Sequence, residues 1–233
     1  MKIALLGYGK MGKMIEKIAL SRGHEIIAKI DINSTATDIS KADVAIDFSI
    51  PDAAFNNITL CLENRIPVIS GTTGWLDKYP EAVALCKKHN GAFIYASNYS
   101  LGVNIFFQIN EYLAKIMNNH SQYGISMEEI HHTQKLDAPS GTAITLAEGI
   151  IKHTDKTKWT LEDPKADEIQ IVAKRIDAVP GTHTVSYENE IDSISLTHTA
   201  NSREGFALGA VVAAEWIVGK QGVFTMKDVL NLG

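Results

Sequence analysis

Two histidines, a lysine and the start of a helix lie within one short stretch of this chain. The stretch runs from Glu129 to Thr142 and contains His131, His132 and Lys135. A histidine protonates near neutral pH and can therefore donate a proton in a reaction. A lysine adds a mobile cation that attracts carboxylates. Together these side chains predict a site that binds a carboxylate and delivers a proton to a carbon that is being reduced.

A helix N-terminus is expected directly after this cluster. Ser140 is a residue type favoured at helix N-caps, and Pro139 before it keeps the chain extended up to that point. Gly141 and Thr142 would then have free main-chain N–H groups, which bind anions at a helix N-terminus. Ordinary helix architecture explains the cap equally well when it is taken alone. Its combination with Lys135 favours an anion site.

A metal site is the alternative use of the two histidines. Adjacent residues of a strand point to opposite faces, so His131 and His132 cannot both bind one ion from a regular strand. No third ligand stands at a spacing typical of zinc sites. We therefore expect no metal. If both histidines serve one site, the strand must end near His132.

A glycine-rich loop near the N-terminus indicates dinucleotide binding. The run Gly7-Tyr8-Gly9-Lys10-Met11-Gly12 matches G-x-G-x-x-G between a strand-like and a helix-like segment. The first glycine permits a tight turn, the second lets a pyrophosphate approach the main chain, and the third lets helix and strand pack closely. Asp31 ends the next strand, where a carboxylate can bind the ribose hydroxyls. A glycine turn without a ligand is the alternative, which the strand, helix and acidic residue together disfavour.

Two further loops follow strand-like segments, Gly71 to Gly74 and Ala96 to Tyr99. Taken alone, each is more typical of a plain turn than of a binding site. The carboxyl ends of parallel strands lie at one edge of a sheet, where open α/β folds bind ligands. We therefore expect both loops to lie beside the glycine-rich loop.

The order of elements predicts two domains. Strands at 2–6, 25–30, 44–48, 67–70 and 93–96 alternate with helices at 11–22, 53–63 and 81–89, which favours a parallel α/β sheet. After a helix at 103–117, strands at 124–130, 168–175, 182–187 and 191–199 surround a helix at 141–152 and indicate a second, partly antiparallel sheet. The pair at 182–199 would turn at 188–190, and residues 154–167 are expected to be the least ordered. A helix at 206–218 and a short element at 221–230 close the chain.

Composition excludes several classes of protein. The chain has 233 residues, a formal net charge of -5 and 45% hydrophobic residues, which is typical of a globular protein and does not suit nucleic-acid binding. No apolar stretch is long enough for a membrane span, and a strand-like run begins at once, without a signal peptide. Cys61 and Cys86 do not suggest a disulfide framework. We therefore expect a cytoplasmic protein that contacts neither membrane nor nucleic acid.

At the level of whole motifs, the sequence resembles the dihydrodipicolinate reductase (4-hydroxy-tetrahydrodipicolinate reductase) family of lysine and diaminopimelate synthesis. The resemblance extends over nearly the whole chain. It is carried by the glycine loop, by Asp47-Phe48-Ser49, Gly71-Thr72-Thr73-Gly74, Ser97 to Asn104, the block from Glu129 to Ala143, and Ser202-Arg203.

This resemblance implies a fold and an activity. An N-terminal Rossmann dinucleotide-binding domain would comprise residues 1–100 and 205–233. A second α+β domain with a mixed sheet, residues 101–204, would bind substrate and assemble a homotetramer. The family reduces a cyclic, unsaturated imine dicarboxylate with NADH or NADPH.

The resemblance also implies roles for individual residues. His131 would donate the proton, and Lys135 would assist catalysis and bind a substrate carboxylate. The substrate would further be held by residues of the same block: His132, Ser140, Gly141 and Thr142. Cofactor contacts would come from loops that follow strands and from one later aromatic residue: Gly7, Tyr8, Gly9, Lys10, Met11, Gly12, Asp31, Gly71, Thr72, Thr73, Ala96, Ser97, Asn98, Tyr99 and Phe206.

The sequence departs from the family pattern near the cofactor. Lys10 replaces a usual arginine in a loop that is one residue shorter, and Ile32 stands where many members carry an arginine. Asp31, followed by residues without a cation, predicts that NADH is preferred over NADPH, because the 2′-phosphate of NADPH would meet a like charge. An aspartate dehydrogenase type of enzyme and a non-catalytic dinucleotide sensor are the alternatives. The run from Lys135 to Thr142 argues against the dehydrogenase, and the presence of both His131 and Lys135 argues against the sensor.

Overall fold

The computed structural model describes residues 1–31, 34 and 38–232. The chain forms two compact units, one of residues 1–101 with 204–233 and the other of residues 102–203. Each unit has its own sheet and its own hydrophobic core.

The first unit is built on a six-stranded parallel sheet. Its strands are β1 (Lys2–Leu6), β2 (Glu25–Ile30), β3 (Val44–Asp47), β4 (Val68–Ser70), β5 (Ala92–Tyr95) and β11 (Gly222–Phe224). They lie in the order β11-β5-β4-β3-β1-β2, and all neighbouring strands are parallel. The direction of chain progression reverses between β1 and β3, and ligands of such sheets bind at the carboxyl ends of the strands at this point.

Helices cover both faces of this sheet. They are α1 (Lys10–Ser21), α2 (Pro51–Glu63), α3 (Tyr79–Lys88), α6 (Glu204–Ile217) and α7 (Met226–Leu230), with a short 3₁₀ turn at Leu76–Lys78. Helices α1, α6 and α7 pack on one face, and α2 and α3 pack on the other. Because both faces are buried, the central strands are continuous apolar runs, as Ile3, Ala4, Leu5 and Leu6 show.

The second unit has a five-stranded mixed sheet. Its strands are β6 (Gly124–His131), β7 (Lys158–Thr160), β8 (Glu168–Arg175), β9 (Gly181–Glu188) and β10 (Ser193–Ala200), in the order β10-β9-β6-β8-β7. Strand β8 runs parallel to β6 and β7, whereas β9 runs antiparallel to β6 and β10. The predicted fold class, a Rossmann-type parallel domain followed by an α+β domain with a mixed sheet, is confirmed.

The two faces of the mixed sheet differ. Helices α4 (Leu101–Met117) and α5 (Gly141–Ile151) contribute to the core on one face, where Val185 and Tyr187 of β9 are fully buried. The alternate residues of β9 point the other way and form three hydroxyl pairs with β10, namely Thr182–Thr199, Thr184–Thr197 and Ser186–Ser195. The helices therefore lie over one face of the sheet, and the other carries hydroxyl groups.

Two local expectations are corrected by the structure. Residues 154–167, expected to be the least ordered, contain strand β7, which pairs with β8 and packs Trp159 against the core. The many lysines and aspartates of this segment indicated a loop, and a strand of only three residues gives too short a pattern to predict. The hairpin turn lies at residues 189–192 rather than 188–190, because the Asn189 side chain accepts hydrogen bonds from the Ile191 and Asp192 amides.

Among the described residues, no helix has the length and apolar character needed to cross a membrane.

Candidate active site

The glycine loop after β1 has three glycines with different surroundings. Gly7 has a φ of 93°, and a Cβ there would lie 2.1 Å from the carbonyl oxygen of Phe48. A Cβ on Gly12 would lie 2.3 Å from the carbonyl oxygen of Gly7. A Cβ on Gly9 would meet nothing within 4 Å. The fold itself thus requires Gly7 and Gly12, whereas the bare backbone at Gly9 leaves open space for a ligand.

This open space lies at the N-terminus of α1. Gly9 is the N-cap residue, and its carbonyl oxygen accepts a hydrogen bond from the Lys13 amide. The amides of the first turn have no partner within the helix and can bind phosphate. Lys10 is exposed and Met11 is half-buried. These features fit a dinucleotide pyrophosphate.

Tyr8 is held by two charged neighbours. Its hydroxyl donates a short hydrogen bond to Glu16 and accepts one of 3.2 Å from Lys29. The Lys29 ammonium also lies 2.5 Å from Glu16 and 4.8 Å from the centre of the Tyr8 ring. Asp31 is exposed immediately after β2, and its amide donates to the Ser34 hydroxyl. The predicted departure at Ile32 and the residue Asn33 lie outside the described residues.

A buried carboxylate organises the next two loops. Asp47 ends β3 with no exposed surface and accepts hydrogen bonds from four neutral side chains, those of Ser49, Asn57, Ser70 and Thr72. Burial raises the pKa of this carboxyl, and the four hydrogen bonds oppose that rise. The predicted cofactor residue Thr72 is therefore fixed by its bond to Asp47, while Gly71 is half-buried and Thr73 is exposed.

The loop after β5 contains one residue that is a core residue. The Tyr99 side chain is 1% exposed, and its hydroxyl donates to the Ser70 carbonyl oxygen at 3.0 Å. Any contact of Tyr99 with a cofactor must therefore use its main chain. Ser97 is exposed, Ala96 and Asn98 are half-buried, and Phe206 is half-buried in the first turn of α6.

In the second unit, strand β6 presents two functional groups on one face. Glu129 and His131 are two residues apart and are both buried. The strand ends at His131, as the sequence required if both histidines were to serve one site. His132, just beyond it, lines a cleft of about 360 Å³ together with Asp177 and Arg203. His131 itself is 7% exposed.

Glu129 lies at the centre of a hydrogen-bonded cluster. The Ser140 amide donates to both of its oxygens, at 3.1 and 3.0 Å, and the Arg175 guanidinium donates at 3.1 Å. His183 of β9 lies 3.6 Å away through Nε2. Burial raises the pKa of this carboxyl, but hydrogen bonds from His183, Ser140 and Arg175 together lower it to about 2. Glu129 is therefore ionised at neutral pH.

His131 lies beside this carboxylate in a mostly positive environment. Its Nδ1 is 3.5 Å from Oε2 of Glu129, and its ring contacts that of His183 edge-on at 5.0 Å between centroids. Burial lowers the pKa of His131 to about 4, and His183, Lys135 and Arg175 act in the same direction, whereas Glu129 opposes them. Without a further negative charge, His131 is neutral near pH 7.

The predicted N-cap of α5 is present at the proposed anion site. Ser140 is the N-cap, and its hydroxyl accepts a hydrogen bond from the Ala143 amide. The same hydroxyl lies 3.0 Å from Nε2 of His183. Gly141 is exposed and Thr142 is half-buried. The helix N-terminus is thus held in place through Ser140, while Gly141 and Thr142 remain accessible to solvent.

Ligand atoms of Glu129, His131 and His183 lie within 4.8 Å of one another. The Arg175 cation on Glu129 and the Ser140 hydroxyl on His183 already occupy these groups. We therefore interpret the cluster as a hydrogen-bonded network, and the expected absence of a metal stays a prediction.

Sequence reasoning did not select Asp47, Glu129, Arg175 and His183 as functional residues. Glu129 could have been predicted from the sequence, since a glutamate two residues before His131 lies on the same face of the strand. Arg175 and His183 come from other strands, and their approach depends on the register, in which Arg175 pairs with His131 and His183 pairs with Glu129. A single sequence does not contain that register.

Comparisons with known proteins agree over the whole chain. The family model described as dihydrodipicolinate reductase, N-terminus, matches residues 1–99, and the model for the C-terminus matches residues 102–230. A 4-hydroxy-tetrahydrodipicolinate reductase of Christiangramia forsetii is 58% identical, with 99% of this chain and 98% of that protein covered. The one of Archaeoglobus fulgidus is 38% identical, with 99% and 100% covered.

Among solved structures, a dipicolinate-bound dihydrodipicolinate reductase from Paenisporosarcina sp. TG-14 superimposes with a TM-score of 0.78. It covers 96% of this chain and 97% of that one at 22% identity, which shows a shared fold. The family models and the sequence relatives carry the assignment further. The chain belongs to the dihydrodipicolinate reductase family, the NAD(P)H-dependent oxidoreductases that reduce 4-hydroxy-tetrahydrodipicolinate in lysine biosynthesis.

Proposed function

We propose that the second unit protonates and holds the substrate dicarboxylate while the first unit holds the dinucleotide. His131 donates the proton, Lys135 and the Gly141 and Thr142 amides bind carboxylates, and His132 helps to hold the substrate. The observation that carries this proposal is the buried contact of His131 with Glu129, which also anchors the N-terminus of α5. The ionised Glu129 thereby contacts both the proposed proton donor and the N-terminus of α5, the proposed anion site.

When bound, a reduced nicotinamide would supply a hydride to the unsaturated ring. The chain supplies one proton. Loss of the substrate's 4-hydroxyl group as water leaves an additional ring double bond, and hydride and proton together saturate that bond, so that the products are tetrahydrodipicolinate, water and the oxidised cofactor. His131 is neutral in the free site because burial and nearby cations lower its pKa. Two substrate carboxylates add negative charge at this site, and a negative neighbour favours the protonated imidazole. Substrate binding therefore prepares the donor.

The glycine loop, Asp31 and the loops after β4 and β5 form the proposed cofactor site. Support comes from the unobstructed backbone at Gly9 and from the free amides of α1. The residues assigned to the cofactor are those of the sequence analysis, with Tyr99 acting through its main chain. We propose that NADH is preferred over NADPH because Asp31 lies beside the adenine ribose.

We also propose that the chain forms a homotetramer through the mixed sheet. Strand β10 pairs with β9 alone in the described part of the chain, and all of its residues are exposed or half-exposed. Val172 is 39% exposed on the face that carries the hydroxyl pairs, and Ile194 of the edge strand β10 is 40% exposed on the opposite face. An open face with an edge strand is typical of surfaces that pair with another copy. Sedimentation equilibrium of the purified chain measures the assembly state.

Both cysteines are free and buried. This state suits a reducing compartment, and we propose a cytoplasmic location.

A coupled assay tests the activity. A synthase makes the unstable substrate from pyruvate and aspartate semialdehyde, and loss of NADH or NADPH is followed after the chain is added. We expect turnover that depends on the synthase. A dinucleotide sensor would bind NADH without turnover, and an aspartate dehydrogenase would instead oxidise NADH with oxaloacetate and ammonia.

A further inference from the structure

Glu129 is the most completely enclosed charged residue of the second unit. Its relative exposure is 0%, although it lies on a strand beside exposed loops. An ionised carboxylate is costly to bury unless its oxygens are paired and hydrogen-bonded. Here both oxygens accept bonds from the Ser140 amide, and Arg175 adds a charged donor. Packing alone does not explain why an ionised carboxylate is buried at this position.

The first consequence of this burial is mechanical. Ser140 follows the proposed carboxylate-binding loop and begins α5. Because Glu129 holds the Ser140 amide, it fixes where the free amides of Gly141 and Thr142 begin. Arg175 extends this hold, since its guanidinium also donates to the carbonyl oxygens of Lys135 at 3.3 Å and Asp137 at 2.6 Å. Glu129 and Arg175 together determine the path of the loop that carries Lys135.

The second consequence is electrostatic. Four neighbouring groups act on the charge of His131. Glu129 lies on the same strand, His183 on β9, Arg175 on β8 and Lys135 in the loop after β6. Among the described groups that act on His131, Glu129 is the one whose charge favours the imidazolium. Its Oε2 lies 3.5 Å from Nδ1, which leaves Nε2 as the nitrogen that can face a substrate. A protonated His131 would shorten this contact into a charge-assisted hydrogen bond.

We propose that Glu129 is a positioning residue of the reductase: it orients His131 through Nδ1, stabilises its protonated form, and sets the N-terminus of α5 in place for a substrate carboxylate. This inference rests on the proposed role of His131 as proton donor. It assigns to Glu129 no contact with substrate or cofactor.

The strand supplies a matched control. Glu128 is the neighbouring residue of β6 on the opposite face, where its carboxylate pairs with Lys174 at the surface. The variants Glu129→Gln and Glu128→Gln therefore remove the same charge from adjacent positions. Steady-state kcat is measured from acid to alkaline pH for both, together with wild type, Glu129→Asp and His131→Gln, and the affinity for pyridine-2,6-dicarboxylate is measured in parallel.

We expect Glu129→Gln to lower kcat at neutral pH by about tenfold or more. The carboxylate raises the pKa of His131, so its loss makes the donor deprotonate at lower pH. The pH above which kcat declines should therefore fall by about one unit, and part of the activity should return in acid. Affinity for the dicarboxylate should weaken several-fold. Glu129→Asp should shift the profile in the same direction by less, and Glu128→Gln should change none of these values.

The outcomes distinguish a wrong role for Glu129 from a wrong role for His131. If kcat of Glu129→Gln falls equally at all pH values, or does not change, Glu129 does not position His131. If that variant does not fold, Glu129→Asp decides, and an unshifted profile in it overturns the proposal. If His131→Gln keeps wild-type kcat, the proposed proton donor is wrong, and the shift expected for Glu129→Gln is wrong with it.

Discussion

Lys135 and Asp137 form a two-pronged ion pair, in which Nζ of Lys135 lies 2.8 and 2.7 Å from the two carboxylate oxygens of Asp137. The Asp137 side chain is 61% exposed and that of Lys135 is 22% exposed. In the absence of substrate, the lysine proposed to bind a carboxylate is thus already paired with one from its own loop. We expect a substrate carboxylate to take the place of Asp137.

This exchange predicts opposite effects of two substitutions. Pyridine-2,6-dicarboxylate, a planar dianion shaped like the substrate, should inhibit competitively. Lys135→Ala should weaken this inhibition by about 2 kcal/mol, or roughly thirtyfold, because one partner of a largely desolvated charge pair is lost. Asp137→Asn removes the competing carboxylate and should strengthen inhibition by a few-fold. Inhibition constants from the coupled assay measure both.

Lys158→Ala is the control for this pair, since Lys158 forms a surface ion pair with Glu168 at the far edge of the mixed sheet. It should leave the inhibition constant unchanged. An unchanged constant in Lys135→Ala would place the carboxylate site elsewhere.

The role of His131 predicts a loss of chemistry rather than of binding. His131→Gln keeps a polar side chain of similar size but has no titrating group. We expect kcat to fall by about 10² to 10⁴, the range typical of losing a general acid, while KM changes less. His120→Gln, in the exposed turn after α4, should retain wild-type kcat. More than half of the wild-type kcat in His131→Gln would assign the proton to another group or to water.

The same substitution should alter the acid sensitivity of folding. The pKa of His131 is about 4 in the folded chain because of burial and nearby cations, below its unfolded value of about 6.5. The unfolded chain therefore binds the extra proton first, and stability is lost as pH falls from about 6.5 towards 4. Between pH 7 and pH 4.5 this single group should destabilise wild type by about 2 kcal/mol.

Urea unfolding of wild type and His131→Gln at the two pH values isolates this contribution. The variant should lose about 2 kcal/mol less stability on acidification. The contribution of Glu129 to stability has the opposite cause, because its pKa is lowered in the folded chain. Its ionised form stabilises the fold at a pH above the unfolded pKa, and this stabilisation is lost as pH falls towards 2, below the pH range of the experiment. Equal acid sensitivity of both chains would show that His131 is not held neutral.

Sequence alone predicted elements and motifs well and missed long-range contacts. Strands β1, β2 and β8 have the predicted bounds, because short apolar or alternating runs ended by Gly or Asp are local signals. The N-cap at Ser140 was equally local. In contrast, Glu129 contacts His183 and Arg175, which lie on other strands and at least 46 positions away in the sequence. The side chain of Tyr99 is buried in the core together with residues of α6, which the local sequence does not show.

The surroundings of the glycine loop predict a split between binding and stability. Gly9→Ala adds a methyl group into open space at an allowed φ of -77°, so the fold should be unaffected. The same methyl group would occupy the proposed pyrophosphate position, and NADH affinity should fall by about tenfold or more. Gly12→Ala would clash with the Gly7 carbonyl oxygen and should cost about 1–3 kcal/mol of stability. NADH fluorescence titrations and thermal melts distinguish the two, and wild-type NADH affinity in Gly9→Ala would move the pyrophosphate away from this loop.

The choice between NADH and NADPH should depend on Asp31. Its carboxylate is exposed at the carboxyl end of β2, and Lys29, two residues earlier, is engaged by Glu16 and Tyr8. A 2′-phosphate beside Asp31 would meet a like charge, which costs about 1 kcal/mol at about 4 Å in water and about 4 kcal/mol at an effective dielectric of 20. At an exposed site the lower value applies, so kcat/KM should favour NADH by about 3–30-fold. Asp31→Ala should bring this ratio close to one, whereas Asp38→Ala, an exposed aspartate seven residues later, should preserve it. Steady-state kinetics with each cofactor at low salt measure the ratio, and either a wild-type preference for NADPH or an unchanged ratio in Asp31→Ala would show that Asp31 does not contact the ribose.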